Sequence, residues 1–270
     1  MAADLNLSLV SEAVRSLEVR WIFPGKLGTG AAQWFGRFPA RTESREDSYL
    51  LDPQLRGLSV KLRAAGTLEV KAYSGSPGIL EMPDRARGRM ESWQKWSFPF
   101  SPPSPGRVDS PGWLPVRKNR HVSRFSLASP QDSEPNAGVG QELRCEVELA
   151  EVRTRGEDWW TLGFEATGLI ELLRKAVEET ARLVFAQAPP GLEPSLEESR
   201  SYAEWLSQLS RARPGHGGDV AQHPWGELRD AACHELSVHI DENSLHLGGL
   251  NGDRPQLLNE PAPAQRNGLR

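Results

Sequence analysis

The sequence predicts an α+β protein whose main body is an antiparallel β-sheet of seven or eight strands, closed or curled into a barrel. Three observations lead to this prediction. Runs of alternating polar and apolar residues recur between residues 16 and 167. Charged side chains keep to one parity in run after run, which places them on one face of the sheet. From Leu169 onward the apolar residues recur at helical spacing instead.

Each element follows from its local pattern. In chain order, strands are predicted at 16–23, at two or three places within 49–73, and at 89–98, 116–127, 142–152 and 158–166. Helices are predicted at 30–38, 169–187 and 194–211. Pro24-Gly25 ends the first strand, and Ala65-Gly66 lies at a hairpin position. The apolar stripe of the 169–187 helix predicts that it packs on the outside of the sheet.

The remaining segments divide the chain into three parts. Residues 101–106 and 129–140 are rich in Pro, Ser and Gly and are predicted to be surface loops. We expect a main domain at 1–190, an additional helix within 191–211, and a largely disordered C-terminal tail at 212–270.

Total charge excludes some functions. The chain has 32 Lys and Arg against 36 Asp and Glu, a formal charge of -4, which does not favour a nucleic-acid partner or a membrane surface. No apolar run approaches the length of a membrane span and no leader pattern is evident, so we expect a cytoplasmic protein. The two cysteines, Cys145 and Cys233, are expected to be free thiols.

The charged face carries the functional hypothesis. It would hold, strand by strand, Glu18 and Arg20; Lys61 and Arg63; Glu69 and Lys71; Arg89, Glu91 and Lys95; Lys118, Arg120 and Arg124; and Glu142, Arg144, Glu146 and Glu148. An open sheet with one solvated face would alternate in the same way. The abundance of Arg, Lys and Glu over Ser and Thr favours a closed barrel with a charged lumen. There the basic side chains would take phosphate oxygens, and the carboxylates would take Mg²⁺ or Mn²⁺.

Several segments resemble the CYTH, or triphosphate tunnel metalloenzyme, superfamily over roughly residues 16 to 185. In chain order they are REDSYLL, RGLSVKLRAAGTLEVK, VRKNRH, CEVELAEV and WWTLGFEATG. The resemblance implies an eight-stranded antiparallel tunnel with flanking helices that binds a triphosphate-containing small molecule or polyphosphate and uses Mg²⁺ or Mn²⁺. It implies phosphate contacts at Lys61, Arg63, Lys71, Lys118 and Arg120, to which we add Arg124 on the same face. It also implies metal ligands at Glu18, Glu148 and Glu165, of which Glu148 and Glu165 would serve catalysis.

The chain departs from the family pattern in two strands. The E-x-E-x-K strand of the family is Glu18-Val19-Arg20-Trp21-Ile22 here, and Gly163 stands where many members carry another Glu. A guanidinium at position 20 would compete with a divalent ion for Glu18 and repel the ion, so any metal-dependent triphosphatase activity is expected to be weak. The alternative is a non-catalytic anion-binding or interaction scaffold, in which the 194–211 helix and the tail reach a protein partner.

Overall fold

Eight antiparallel strands close into one barrel in the structure, a computed structural model that describes residues 13–52, 55, 57–63, 66–99, 112–127 and 143–211. The strands are β1 (Val14–Pro24), β2 (Ala40–Leu50), β3 (Leu58–Arg63), β4 (Thr67–Met82), β5 (Ala86–Pro99), β6 (Trp113–Leu127), β7 (Leu143–Thr154) and β8 (Glu157–Thr167). Their order is β1-β5-β4-β3-β2-β6-β7-β8, and β8 pairs with β1 to close the ring. The predicted α+β barrel is confirmed. The predicted loops at 101–106 and 129–140 and the tail at 212–270 lie outside the described residues.

The described residues form three helices, α1 (Thr29–Phe35), α2 (Ile170–Phe185) and α3 (Tyr202–Arg211). The apolar stripe of α2 packs on the outward faces of β1, β7 and β8, as predicted. Trp21, Phe164 and Phe185 meet there with ring centroids 5.8 to 6.1 Å apart. This outer cluster is the larger of two hydrophobic cores, and it leaves the inward faces free for polar side chains. No helix among the described residues is long and apolar enough to span a bilayer.

Two strands, β2 and β4, extend furthest beyond the sequence prediction. β2 begins at Ala40 and pairs with β6 along its whole length, whereas the alternation of apolar residues begins only at Tyr49. Its first half is polar on both faces, so it gives no hydrophobic signal. β4 continues past the Gly-rich residues 75–78 to Met82, and its register with β5 shifts there. A bulge of this kind resembles a turn in sequence.

The 194–211 helix is shorter than predicted and begins at Tyr202. The Ser195 hydroxyl and amide both donate to the Glu198 carboxylate, at 2.6 and 3.0 Å, and close a local turn. The backbone after that turn pairs with β1, because the Ile22 amide donates to the Glu198 carbonyl and the Arg200 amide to the Arg20 carbonyl. The register of β1 with β5 ends at Val19, and the edge beyond it is available for this pairing. Pairing with a strand edge therefore replaces the first two helical turns.

Helix α3 closes one end of the barrel from the inside. Trp205 and Leu206 are buried against Ile22 and Tyr49, together with apolar residues of β6 and β7. Ile22 shares its strand face with Glu18 and Arg20, so this face changes from charged to apolar along β1. The lumen consequently has an apolar floor at α3 and a charged wall above it.

Candidate functional site

One cavity inside the barrel is lined by charged side chains from all eight strands. Of the described residues, ten Arg or Lys and five Glu line it: Arg20, Arg45, Lys61, Arg63, Lys71, Arg89, Lys95, Lys118, Arg120, Arg200, Glu18, Glu69, Glu91, Glu148 and Glu165. Its volume is about 90 Å³.

The predicted site residues fall into two groups. Those brought together in this cavity are Lys61, Arg63, Lys71, Lys118, Arg120, Glu18, Glu148 and Glu165. Arg124 shares their parity but does not line the cavity, and its guanidinium pairs with Glu146 at 2.7 Å on the exposed part of β6. Parity therefore predicts the face correctly, while position along the strand decides whether a side chain reaches the lumen.

Glu69 holds two of the basic residues. Lys61 lies directly across the β3–β4 pair from it, and the Lys61 Nζ is 2.5 Å from the carboxylate. The Arg63 guanidinium approaches the other oxygen at 2.7 Å. Burial opposes ionisation of Glu69, yet Lys61 and Arg63 outweigh it and lower the pKa of that carboxyl to about 2. Burial also lowers the pKa of Lys61 to about 8, against the attraction of Glu69.

Lys71 bridges two of the three carboxylates predicted to hold metal. Its Nζ is 2.5 Å from Glu18 and 3.3 Å from Glu165, which face each other across β1 and β8. Lys95 approaches the same Glu165 oxygen at 3.6 Å. Burial raises the pKa of Glu165, but Lys71 and Lys95 more than offset it, so the pKa lies below its usual range.

The third predicted metal ligand, Glu148, lies between two arginines. Arg20 Nη1 is 2.8 Å from one carboxylate oxygen, and Arg120 contacts the other through Nε and Nη2. Burial opposes the charge on Glu148, but the two guanidinium groups hold its pKa far below the usual range. The sequence analysis expects Arg20 to compete with a divalent ion for Glu18, but the carboxylate that Arg20 contacts directly is Glu148. Glu18 is held by Lys71, while Arg20 reaches across β8 to β7.

Three site residues, Asp47, Tyr49 and Tyr202, lack a clear sequence signal, and all three lie around the predicted Lys118. Lys118 donates to the Tyr49 hydroxyl at 2.7 Å, lies 3.7 Å from the buried Asp47 carboxylate, and points at the Tyr202 ring 3.8 Å from its centroid. Burial lowers the pKa of Lys118 well below its ordinary value, against the attraction of Asp47. Asp47 and Tyr49 share the inward parity of β2, so recognising the polar half of that strand would have revealed them. Tyr202 comes from α3, and its place in the lumen depends on the closure of the barrel.

The carboxylates do not fit a divalent metal ion as they are arranged. No group of three or more His, Cys, Asp or Glu side chains with suitable geometry occurs among the described residues. Both oxygens of Glu148 accept from arginine, and one oxygen each of Glu18 and Glu165 accepts from Lys71, where Mg²⁺ or Mn²⁺ would need free carboxylate oxygens.

No protein-family model matches this sequence, and no curated protein matches it either. Among solved structures, a conserved hypothetical protein from Pyrococcus furiosus is similar, with 17% identity, a TM-score of 0.35 and coverage of 69% of this chain and 98% of that chain. The protein PH1819 from Pyrococcus horikoshii is 14% identical, with a TM-score of 0.37 and coverage of 73% of this chain and 99% of that chain. The S. pombe RNA triphosphatase Pct1, solved in complex with the Spt5 CTD, is 10% identical, with a TM-score of 0.36 and coverage of 68% of this chain and 90% of that chain.

With identities and TM-scores this low, the fold assignment rests on the strand order of this chain itself. That order closes eight antiparallel strands into the architecture that the sequence resemblance implies, with Lys, Arg and Glu side chains pointing inward.

Proposed function

We propose that the protein binds a triphosphate or polyphosphate anion in the lumen of its barrel. The observation that carries this proposal is the excess of ten Arg and Lys over five Glu among the described lining residues, in a chain of net charge -4. Glu43, Asp47 and Glu204 pair with lining cations from just outside that set, and the positive charges still outnumber the negative. A buried excess of like charge is unfavourable by itself, and a bound anion offsets it.

The distribution of these cations favours an extended, multivalent anion. Lys61 and Arg63 come from β3, Lys71 from β4, Lys95 from β5 and Lys118 from β6. They follow the wall around half of the barrel. A single small anion would meet few of them, whereas linked phosphates present several oxygens along the wall. Arginine binds such oxygens through its planar fork and lysine as a compact charge.

Binding would proceed by exchange of partners, since the cations already hold glutamates. Phosphate oxygens would replace Glu69 on Lys61 and Arg63, and the freed carboxylate would turn toward solvent. A second cavity of about 340 Å³ adjoins the lumen and shares Tyr49, Arg89 and Glu91 with it, which supplies further room. Because every candidate metal ligand is held by a cation, we assign binding and no hydrolytic step.

The test is thermal unfolding with tripolyphosphate. A ligand that binds only the folded state at a hundred times its Kd stabilises that state by about 2.7 kcal/mol, so the melting temperature should rise. Arg63→Ala should weaken binding by roughly tenfold or more, because a charge-assisted bond contributes about 1.5–3 kcal/mol. The matched control is Arg153→Ala, which removes an arginine whose exposed ion pair with Asp158 lies outside the lumen and should leave binding unchanged. A melting curve that does not move at saturating tripolyphosphate would contradict the proposal.

A further inference from the structure

The Arg20 guanidinium occupies space that only a glycine at position 163 leaves open. Arg20 and Gly163 are direct partners across β1 and β8, and Glu148 is the partner of Gly163 on its other side. A Cβ at Gly163 would lie 2.7 Å from Arg20 Cζ and 2.8 Å from each terminal nitrogen. Such contacts are far shorter than van der Waals distance. The glycine thus opens the path by which Arg20 crosses β8 and reaches Glu148.

Backbone conformation does not account for this glycine. Gly163 is absent from the glycines that adopt positive φ, whereas Gly156 in the adjoining turn has φ of 82°. Any L-amino acid could therefore adopt the backbone at 163, and the constraint is the room taken by the guanidinium.

Hydrogen bonds and an aromatic ring hold the Arg20 guanidinium in this position. Nη1 donates to Glu148 at 2.8 Å and to the Thr161 hydroxyl at 3.3 Å, and the Tyr202 ring covers Cζ at 4.8 Å. Arg120 binds the second oxygen of the same Glu148 carboxylate, so two guanidinium groups share one glutamate. The side chain of Arg20 is only 12% exposed. A permanent positive charge is thereby held in place before any ligand arrives.

We propose that Arg20, held beside Gly163, is a fixed positive charge of the lumen, and that the protein therefore binds the free polyphosphate anion in preference to its complex with a divalent metal. The inference rests on the proposed function and specifies the form of its ligand. A metal-complexed polyphosphate brings a divalent cation toward the fixed guanidinium, which repels it. The free anion brings only oxygens, which can accept hydrogen bonds from Arg20 and Arg120 in place of Glu148.

The experiment is calorimetric titration with tripolyphosphate, once in EDTA and once with Mg²⁺ in excess. We expect binding in EDTA and weaker binding with Mg²⁺. Arg20→Ala should weaken the EDTA binding by roughly tenfold to a hundredfold, the worth of one charge-assisted contact. Gly163→Ala retains every charge but displaces the guanidinium, and should weaken binding similarly. Gly30→Ala, whose new Cβ meets no atom within 4 Å, is the matched control and should bind as the wild type does.

A double-mutant cycle distinguishes displacement of the Arg20 guanidinium from a nonspecific effect of Gly163→Ala on the fold. In the Arg20→Ala background, Gly163→Ala should have no further effect on binding, because no guanidinium remains to be displaced. If Gly163→Ala alone does not fold, Arg20→Ala, which removes a side chain and adds none, still decides the matter.

The outcomes distinguish the two proposals. Absence of binding in both buffers would refute the proposed function itself. Binding that requires Mg²⁺, or EDTA binding that Arg20→Ala leaves unchanged, would retain the proposed function and overturn the role of Arg20.

Discussion

Replacing Glu91 by glutamine should stabilise the protein at alkaline pH and change its stability little at acidic pH. Glu91 is 9% exposed on the inner face of β5, directly across from Glu18 of β1. Burial, the charge of Glu204 and that of Glu18 raise the pKa of this carboxyl to about 7, although Arg89 opposes them. Glu91 thus differs from Glu69, Glu148 and Glu165, whose pKa values are lowered by nearby cations.

The magnitude follows from proton linkage. In the unfolded chain the carboxyl titrates near 4.5, so between that pH and 7 the folded protein binds the proton more tightly. Stability therefore falls as the pH rises through this window and levels off above it. Each unit of pKa corresponds to about 1.4 kcal/mol, which gives a loss of roughly 2–3 kcal/mol between pH 5 and pH 8. Glutamine does not ionise, so the variant should lack this loss.

Urea unfolding followed by circular dichroism at pH 5 and pH 8 measures the effect. The free energy of unfolding of Glu91→Gln minus that of the wild type should increase by roughly 2–3 kcal/mol from the lower to the higher pH. Glu151→Gln, which removes an exposed glutamate of β7, is the matched control for the loss of a carboxylate at the surface. A difference for Glu91→Gln that is the same at pH 5 and at pH 8 would refute the assignment of a raised pKa to this group.

Two further predictions concern the barrel and its floor. A Cβ at Gly88 would lie 2.5 Å from Trp21 and 2.6 Å from Val19, so Gly88→Ala should lower the free energy of unfolding by about 1–3 kcal/mol. Gly30→Ala, whose Cβ meets no atom within 4 Å, should not lower it, and equal effects of the two changes in urea unfolding would contradict the prediction. Trp205 is 2% exposed against the lumen floor, so Trp205→Ala should cost about 3–5 kcal/mol, and an unchanged denaturation midpoint would show that α3 does not support the barrel.

The sequence by itself determined which side chains face inward. Successive residues of a strand point to opposite sides, so Lys61 and Arg63 had to share a face, as did Lys118 and Arg120, whatever the strand order. Closure of the sheet then turned that shared face into one lumen. The eight-stranded antiparallel barrel was likewise predictable from the family resemblance, and the outer position of α2 from the change to helical period.

The prediction was wrong in two places where the local residue pattern and backbone pairing with a distant strand favour different structures. The polar first half of β2 carries no apolar alternation, yet it is a strand because its backbone pairs with that of β6. Ser195 and Glu198 have the spacing that begins a helix, yet the backbone there pairs with β1 and the helix starts at Tyr202. Backbone pairing with a neighbour distant in sequence decided both cases, and no local pattern reports it.

Only the tertiary structure decided which charges meet. Sequence reasoning paired Arg20 with Glu18, its neighbour on the same strand face, but the guanidinium crosses to Glu148 and Lys71 takes Glu18. This choice depends on the register of three strands, which sets Gly163 between Arg20 and Glu148. An ion pair forms where two side chains can reach each other without a clash. Reach and clash are set by strands far apart in the chain, and parity within one strand cannot encode them.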